Sequence, residues 1–533
     1  MKTKTKIFSW VAAAVLTAAM LISLAGCGNE PSAGTPANST QTAGSSTKKD
    51  TLILAGDYGS PMNPVLHNTA DVQSVIFSGL LKLDSKNQPI LDLAKSYDYD
   101  EASMTYTFHL REGVKWHDGK EFTADDCVFT YTVLTQDKSI SSDVLSNYLD
   151  VASVSAPDKL TFVVKMKEPN LAMPAYFTIG IIPKHLLEGK DINTDAFNQH
   201  PIGTGRYKFV SKDTASNSVV LERNEDYYDN VPKIKSLIFK NVADETVKAN
   251  MAQSGEVDIA WLNANYIKSF QGNPDYQITR HNCCDFRGIT LRYDGGFWKD
   301  NADSAYALNY AIDKQAILKA TVDGKGEVAY SPLQKTNLGG NKNADLYLYD
   351  VAQAAKELEK LGWKKGSDGI LERKGQRFSF TLMAPESEVE RVDMAKLVAD
   401  QLKAVGVEVK VFPLASWDWT GYDSYLVGEA FIFDADQCYA FYTTGGSNNG
   451  QGYSNQKVDE LLARARHETD LSKRQALYGE FEVEQAKNPR VLLLNYLDAF
   501  YVSKSQIRGI DEGKILGHHS RGMLWNVENW YFE

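Results

Sequence analysis

The chain has 533 residues and a formal net charge of −11, with 43% hydrophobic and 23% charged residues. That length exceeds what one hydrophobic core serves, so about two or three domains are expected, in a composition ordinary for a globular protein. The acidic balance argues against a nucleic-acid partner, which would need basic patches.

Lys2, Lys4 and Lys6 form a basic start, and residues 7–25 are nearly all apolar or small. This is the pattern of a secretory signal. The run is almost long enough to cross a bilayer, so an uncleaved anchor is the alternative. Leu24-Ala25-Gly26-Cys27 is similar to a bacterial lipobox. That resemblance implies that residues 1–26 are removed and that Cys27 is acylated as the new N-terminus. Two or three acyl chains hold a protein stably on a membrane, where one does not. Residues 27–49, rich in Ser, Thr, Ala, Gly and Pro, then read as a flexible tether outside the cell membrane.

Order is expected to begin near Asp50, with Thr51-Leu52-Ile53-Leu54-Ala55 as a buried strand. Tyr106, Phe108 and Leu110 alternate with polar residues and, with Val114 and Trp116 after a turn, predict a hairpin with one buried face. Thr123-Ala124-Asp125-Asp126 reads as a helix N-terminal capping pattern. Leu160, Phe162, Val164 and Met166 alternate again, and strands are expected at 206–211 and 218–223 after Pro201-Ile202-Gly203-Thr204-Gly205. Residues 304–320 show helical spacing through Leu308, Ala311 and Ile312. Residues 391–405 predict an amphipathic helix that Gly406 ends, and Val407, Val409 and Val411 predict a strand after it. Helices follow at 456–466 and 472–487, and the aromatic segment Trp525 to Phe532 is expected to dock. The pattern is mixed α/β, antiparallel early and helix–strand late.

Besides Cys27 the chain has Cys127, Cys438 and the adjacent Cys283 and Cys284. An exported context permits disulfides, so the adjacent pair reads either as a vicinal disulfide or as two reduced thiols. His281 nearby makes a His/Cys metal site conceivable, against an ordinary loop histidine; His518-His519 is poor spacing for two ligands from one helix face. No GxSxG, HExxH, P-loop or GxGxxG occurs. A binding protein without a cofactor, rather than an enzyme, is the expectation.

Five stretches resemble the solute-binding proteins of peptide and nickel ABC transporters, in that family's order. They are Phe77 to Asp84, Tyr106 to Tyr131, PIGTGRYKF at 201–209 with NEDYYDNVPKIKSLIF at 224–239, LNYAIDKQAIL at 308–318, and GYSNQKVDELLARAR at 452–466. The resemblance implies a periplasmic-binding-protein-like α/β fold of two lobes, with an extra domain inserted in the first. Lobe one is expected at 51–84, 200–283 and 495–533, the inserted domain at 85–199, and lobe two at 284–494. It also implies a lipid-anchored, monomeric receptor that captures oligo- or dipeptides and delivers them to a permease served by ATPase subunits. The alternatives are a receptor of the same fold for nickel, a metal chelate or another small polar ligand, and a sensor without transport.

In peptide-binding members a lobe-two aspartate captures the peptide amine. The matching region here runs from Val427 to Tyr439. Asp434 and Asp436 keep the family's two acids, but both prolines are lost, to Ala435 and Gln437, and Glu429 stands where tryptophan is usual. The resemblance therefore nominates Asp434, Asp436, Glu429 and Tyr439, and Glu429 suggests a cationic, polar or small ligand. Read as residues alone, the two aspartates serve equally well as turn caps, and Glu429 as a solvated strand end. Tyr58, in the loop after the first strand, is expected either to meet the ligand or to cover the core edge. Arg292 is expected to pair with a ligand carboxylate, or to form a salt bridge within lobe two.

Overall fold

The computed structural model describes residues 49–56, 62–67, 71–518 and 521–533. Cys27, the tether before Lys49, and Tyr58 lie outside the described residues.

Two large sheets carry the two lobes. The first has seven strands, in the order Tyr276–His281, Ala499–Lys504, Ile259–Leu262, Thr51–Gly56, Ser236–Asn241, Ser218–Arg223 and Tyr207–Asp213. Thr51–Gly56 runs parallel to both neighbours, and its apolar run suits a strand covered on both faces. Leu52 and Leu54 enter one core, while Ala55 enters another on the opposite face. The second sheet has six strands, in the order Gly326–Val328, Val491–Leu497, Asp285–Leu291, Ser424–Ala430, Ser379–Pro385 and Glu408–Leu414.

The chain passes between the sheets twice. Tyr276–His281 leads into Asp285–Leu291, and Val491–Leu497 leads into Ala499–Lys504 with only Asp498 between. The two passages lie side by side, because these strands pair antiparallel in both sheets.

The inserted domain is built on a four-stranded antiparallel sheet, Ala94–Asp100, Thr105–Leu110, Thr161–Met166 and Val151–Asp158. Its apolar residues, including Phe108, Phe162 and Tyr176, share one continuous core with Leu52, Leu237 and Phe239 of the first sheet. The core around helices Gln456–His467 and Leu471–Lys487 is separate.

Most expected elements form. The capping pattern opens helix Ala124–Gln136, where Asp126 accepts the Thr123 N–H at 3.0 Å. The closing aromatic segment docks: Tyr531–Phe532 pairs with Ile507–Arg508, and Trp530 is fully buried. Two expectations fail. Thr105–Leu110 makes no hairpin with Val114 and Trp116; it pairs with Ala94–Asp100 and Thr161–Met166. Gly113, at φ +75°, turns the chain out of the strand, and residues 114–122 fold back on themselves, with Phe122 N–H donating to Val114 O. Residues 304–320 are not one helix. The chain breaks at Ile312 (φ −102°, ψ 108°), and Asp313 caps a new helix, Lys314–Val322, by accepting from Ala316 N–H at 2.9 Å.

Cys127, Cys283, Cys284 and Cys438 are free and buried. The thiols of the adjacent pair point to different partners, Cys283 Sγ to Gly517 O at 3.3 Å and Cys284 Sγ to Lys335 O at 3.9 Å. His281 Nδ1 lies 3.1 Å from Lys514 O. Among the described residues no group of three or more His, Cys, Asp or Glu is placed to hold a metal ion, and no helix is long and apolar enough to cross a membrane.

Candidate functional site

Strand Asp285–Leu291 is buried along its whole length, yet it carries Arg287. A charge in such a strand needs partners. Arg287 Nη1 lies 2.7 Å from Asp285 Oδ2, and Nη2 donates to Glu390 Oε1 at 3.3 Å. Arg287 Nε has no hydrogen-bond partner among the described residues. A second buried guanidinium, Arg391, comes from the first turn of helix Val389–Lys403 and pairs with Glu388 at 2.8 Å.

Both arginines converge on Gly428, which stands opposite Arg287 on strand Ser424–Ala430. A Cβ added there would lie 2.6 Å from Arg287 Nη1, 2.7 Å from His518 Cε1 and 2.8 Å from Arg391 Nη2. The missing side chain is what lets three nitrogen-bearing groups meet. His518 is oriented by Asp285 Oδ1 at 2.9 Å.

The first lobe reaches the same place. Asn263, just after strand Ile259–Leu262, donates Nδ2 to Glu390 Oε2 at 3.1 Å, and its N–H goes to Glu245 Oε2 at 2.8 Å. Glu245 holds the buried Lys248 at 2.6 Å, and Lys248 Nζ sits 4.3 Å from the centre of the Trp261 ring. A polar chain thus runs from one lobe into the other.

The two guanidiniums differ electrostatically. Burial works against the Arg287 cation, but Asp285 and Glu390 outweigh it and raise its pKa. Burial lowers that of Arg391, with Arg287 acting in the same sense against Glu388 and Glu390. Neighbouring carboxylates thus offset burial less at Arg391 than at Arg287.

The described residues nominated from sequence are each engaged within the chain, and Glu429 directly follows Gly428 on its strand. Asp434 is bidentate with Arg474, at 2.6 and 2.8 Å. Asp436 is bidentate with Arg466, at 2.8 Å to each oxygen, and also accepts from Tyr176 Oη at 2.8 Å. Burial would raise the Asp436 pKa, but Arg466 outweighs it and holds the carboxyl below its usual range. Glu429 meets Arg490 at 2.8 and 3.0 Å. Tyr439 lies under Arg466, whose guanidinium carbon is 3.6 Å from the ring centre. Arg292 binds Asp294 at 2.8 Å and the Thr420 carbonyl, just past the end of the strand that carries Arg287. Glu429 is therefore a buried ion-pair member, not a solvated strand end, and Arg292 takes the local salt bridge. Asp434 also accepts the Asp436 N–H at 2.8 Å, as a turn cap does.

Nothing local in the sequence marks Arg391 or Asn263, and His518 stands out only as half of a badly spaced pair. The available signal was a lone arginine, Arg287, between Phe286 and Gly288 in a run that continues Ile289-Thr290-Leu291. A groove of about 760 Å³ also opens between helix Leu471–Lys487 and the loop at 338–343, but it shares no residue with the Gly428 cluster.

The model for bacterial extracellular solute-binding proteins, family 5 Middle, matches residues 88–452. Protein XP55 of Streptomyces lividans is 32% identical over 489 residues, 89% of this chain and 88% of that one. The oligopeptide-binding protein AppA of Bacillus subtilis is 27% identical over 538 residues, 96% of each. Among solved structures, NikZ from Campylobacter jejuni in complex with Ni(L-His) is similar at a TM-score of 0.85 and 32% identity, over 91% of this chain and 99% of that one. AppA in complex with a nonapeptide gives 0.83 and 26%, over the same shares. With its two sheets, double crossing and inserted domain, the chain belongs to family 5 of the bacterial extracellular solute-binding proteins, the peptide- and nickel-type receptors of ABC transporters.

Proposed function

We propose that this receptor captures a small solute bearing carboxylates, held between the lobes by Arg287 and Arg391, and that an amino-acid chelate of a divalent metal is the class that fits best. The observation that carries this is the convergence of both guanidiniums and His518 on Gly428. Arginine presents paired N–H donors that match a carboxylate, and a neutral imidazole is a common metal ligand. A metal cargo would arrive with most of its ligands already in place, since the described residues offer no cluster of three. Asp434 and Asp436, nominated for a peptide amine, already hold arginines, as does Glu429. The likeness to NikZ with Ni(L-His) supports the same reading. A peptide ligand is the second reading, favoured by the match to AppA along 96% of each chain.

On either reading, Cys27 carries lipid, residues 27–49 tether a monomer outside the cell, and the loaded receptor docks on a permease driven by ATPase subunits. The deciding experiment is calorimetric titration of ligand-stripped protein with nickel(II), with L-histidine, with their mixture, and with a nonapeptide. Saturable heat from the mixture alone supports the chelate. Saturable heat from the peptide alone supports the second reading.

A further inference from the structure

The inserted domain touches the second lobe through a compact polar cluster centred on Asp436 and Arg466. Tyr176 Oη donates to Asp436 Oδ2 at 2.8 Å, with both residues buried. Arg466, already bidentate on Asp436, donates Nη1 to the Ser146 carbonyl at 2.9 Å. Ser447 N–H donates to Ser146 Oγ at 2.9 Å, and Asp150 Oδ1 lies 3.1 Å from His467 Nε2. The Tyr176 ring stands edge-on to Phe433, with centroids 5.4 Å apart.

The two sides belong to different bodies. Tyr176 and Tyr148 are part of the core shared with the first sheet, whereas Ala435, Cys438 and Ala465 belong to the separate core of the second lobe. Tyr148 Oη also fixes the Tyr176 carbonyl at 2.9 Å, so the tyrosine is held from its own side. A hinge motion between the lobes must break this cluster. Opening leaves no charge stranded, because Asp436 and Arg466 keep each other. For the same reason closing buries a pair that is already neutralised, which avoids the penalty of desolvating a lone charge.

We propose that the inserted domain is the latch of the closed receptor: Tyr176 and Ser146 engage Asp436 and Arg466 when the lobes meet. These residues set solute affinity through the closed population, without touching solute. The latch rests on the reading of a receptor whose lobes close, and not on which solute it binds.

The test is disulfide trapping in the full chain. The Ser447 N–H bond to Ser146 Oγ keeps the two Cα atoms under about 7 Å apart, within disulfide reach. Ser146→Cys with Ser447→Cys should cross-link under mild oxidation with copper–phenanthroline, while each single variant and the four buried native cysteines do not. Adding Tyr176→Phe, which keeps the ring and removes only the bond to a charged acceptor, should slow cross-linking on the order of ten-fold. Absence of any cross-link, or an unchanged rate with Tyr176→Phe, overturns the latch. Neither readout uses solute, so failure here is distinct from failure of the chelate titration.

Discussion

Asn263 of the first lobe donates its side-chain amide to Glu390 of the second at 3.1 Å, and both residues are buried. Glu390 also meets Arg287, so the acid that orders the cleft's arginine is itself ordered from across the gap. Opening the lobes breaks the first bond and keeps the second. On the proposed reading, Arg287 is positioned most firmly when the lobes are together, and recognition would be tied to closure.

Arg391 is the first residue to replace. Arg391→Gln is expected to weaken capture of the nickel(II)–L-histidine chelate by about 30-fold or more, the loss of a charge-assisted bidentate contact. Arg391→Lys should restore only part, since an ammonium lacks the planar fork. Calorimetry with a parallel melting curve checks this. A folded Gln variant with wild-type affinity rejects the site.

Gly428→Ala tests the gap itself. The new methyl would collide with the far ends of Arg287 and Arg391 and with the His518 ring, not with backbone. Arg287 and Arg391 are buried and ion-paired, so a loss of stability of about 1–3 kcal/mol is expected. Binding should fall steeply because the guanidiniums no longer converge. Equal affinity in the Ala variant would place the solute elsewhere.

Asp434 and Glu429 are expected to behave as structural ion pairs. Asp434→Asn leaves Arg474 buried without its charge partner, and a loss of about 3–5 kcal/mol in urea unfolding is expected. Replacing both partners, Asp434→Leu with Arg474→Met, should recover much of it. Glu429→Gln and the double replacement with Arg490→Met should follow the same course. If Asp434→Asn instead leaves stability intact and selectively weakens a peptide with a free amine over its acetylated form, the amine-capture role is the true one.

A pH effect is expected at the latch. The hydrogen bond that His467 donates to Asp150 raises the His467 pKa above its ordinary 6.5, against partial burial and Arg466, with Glu168 adding to the rise. A raised pKa in the folded state means the contact favours protonated histidine. Its contribution is complete below the ordinary value and is lost as pH rises through the raised one. The urea midpoint of the wild type relative to His467→Gln should therefore fall between about pH 6 and pH 8. A constant difference would show that His467 does not titrate against Asp150.

The fold was largely legible because its signals are local. The Thr51 to Ala55 run, the alternation at Phe162, Val164 and Met166, and Gly406 after an amphipathic stretch all act within a few residues. The break at Ile312 was not legible. Gln401, 88 positions away, takes the Asp313 N–H at 2.8 Å, and helical spacing alone carries no trace of that bond. The site was harder still. Asp434 and Asp436 stood out because acids beside a family motif invite a ligand, but their partners Arg474 and Arg466 lie 40 and 30 residues on. Arg287, Asn263 and Glu390 become neighbours only through the double crossing, which no spacing in the chain encodes.

The strand order also governs when the molecule can become itself. Ala499–Lys504 lies inside the first sheet, between Ile259–Leu262 and Tyr276–His281, although it is made almost last. Until those final residues arrive, Ile259–Leu262 and Tyr276–His281 face each other across an empty slot, and both lobes wait on the same return passage through Asp498. Such long-range closure is slow. The first sheet is therefore completed only by residues that lie within the last 35 of the chain.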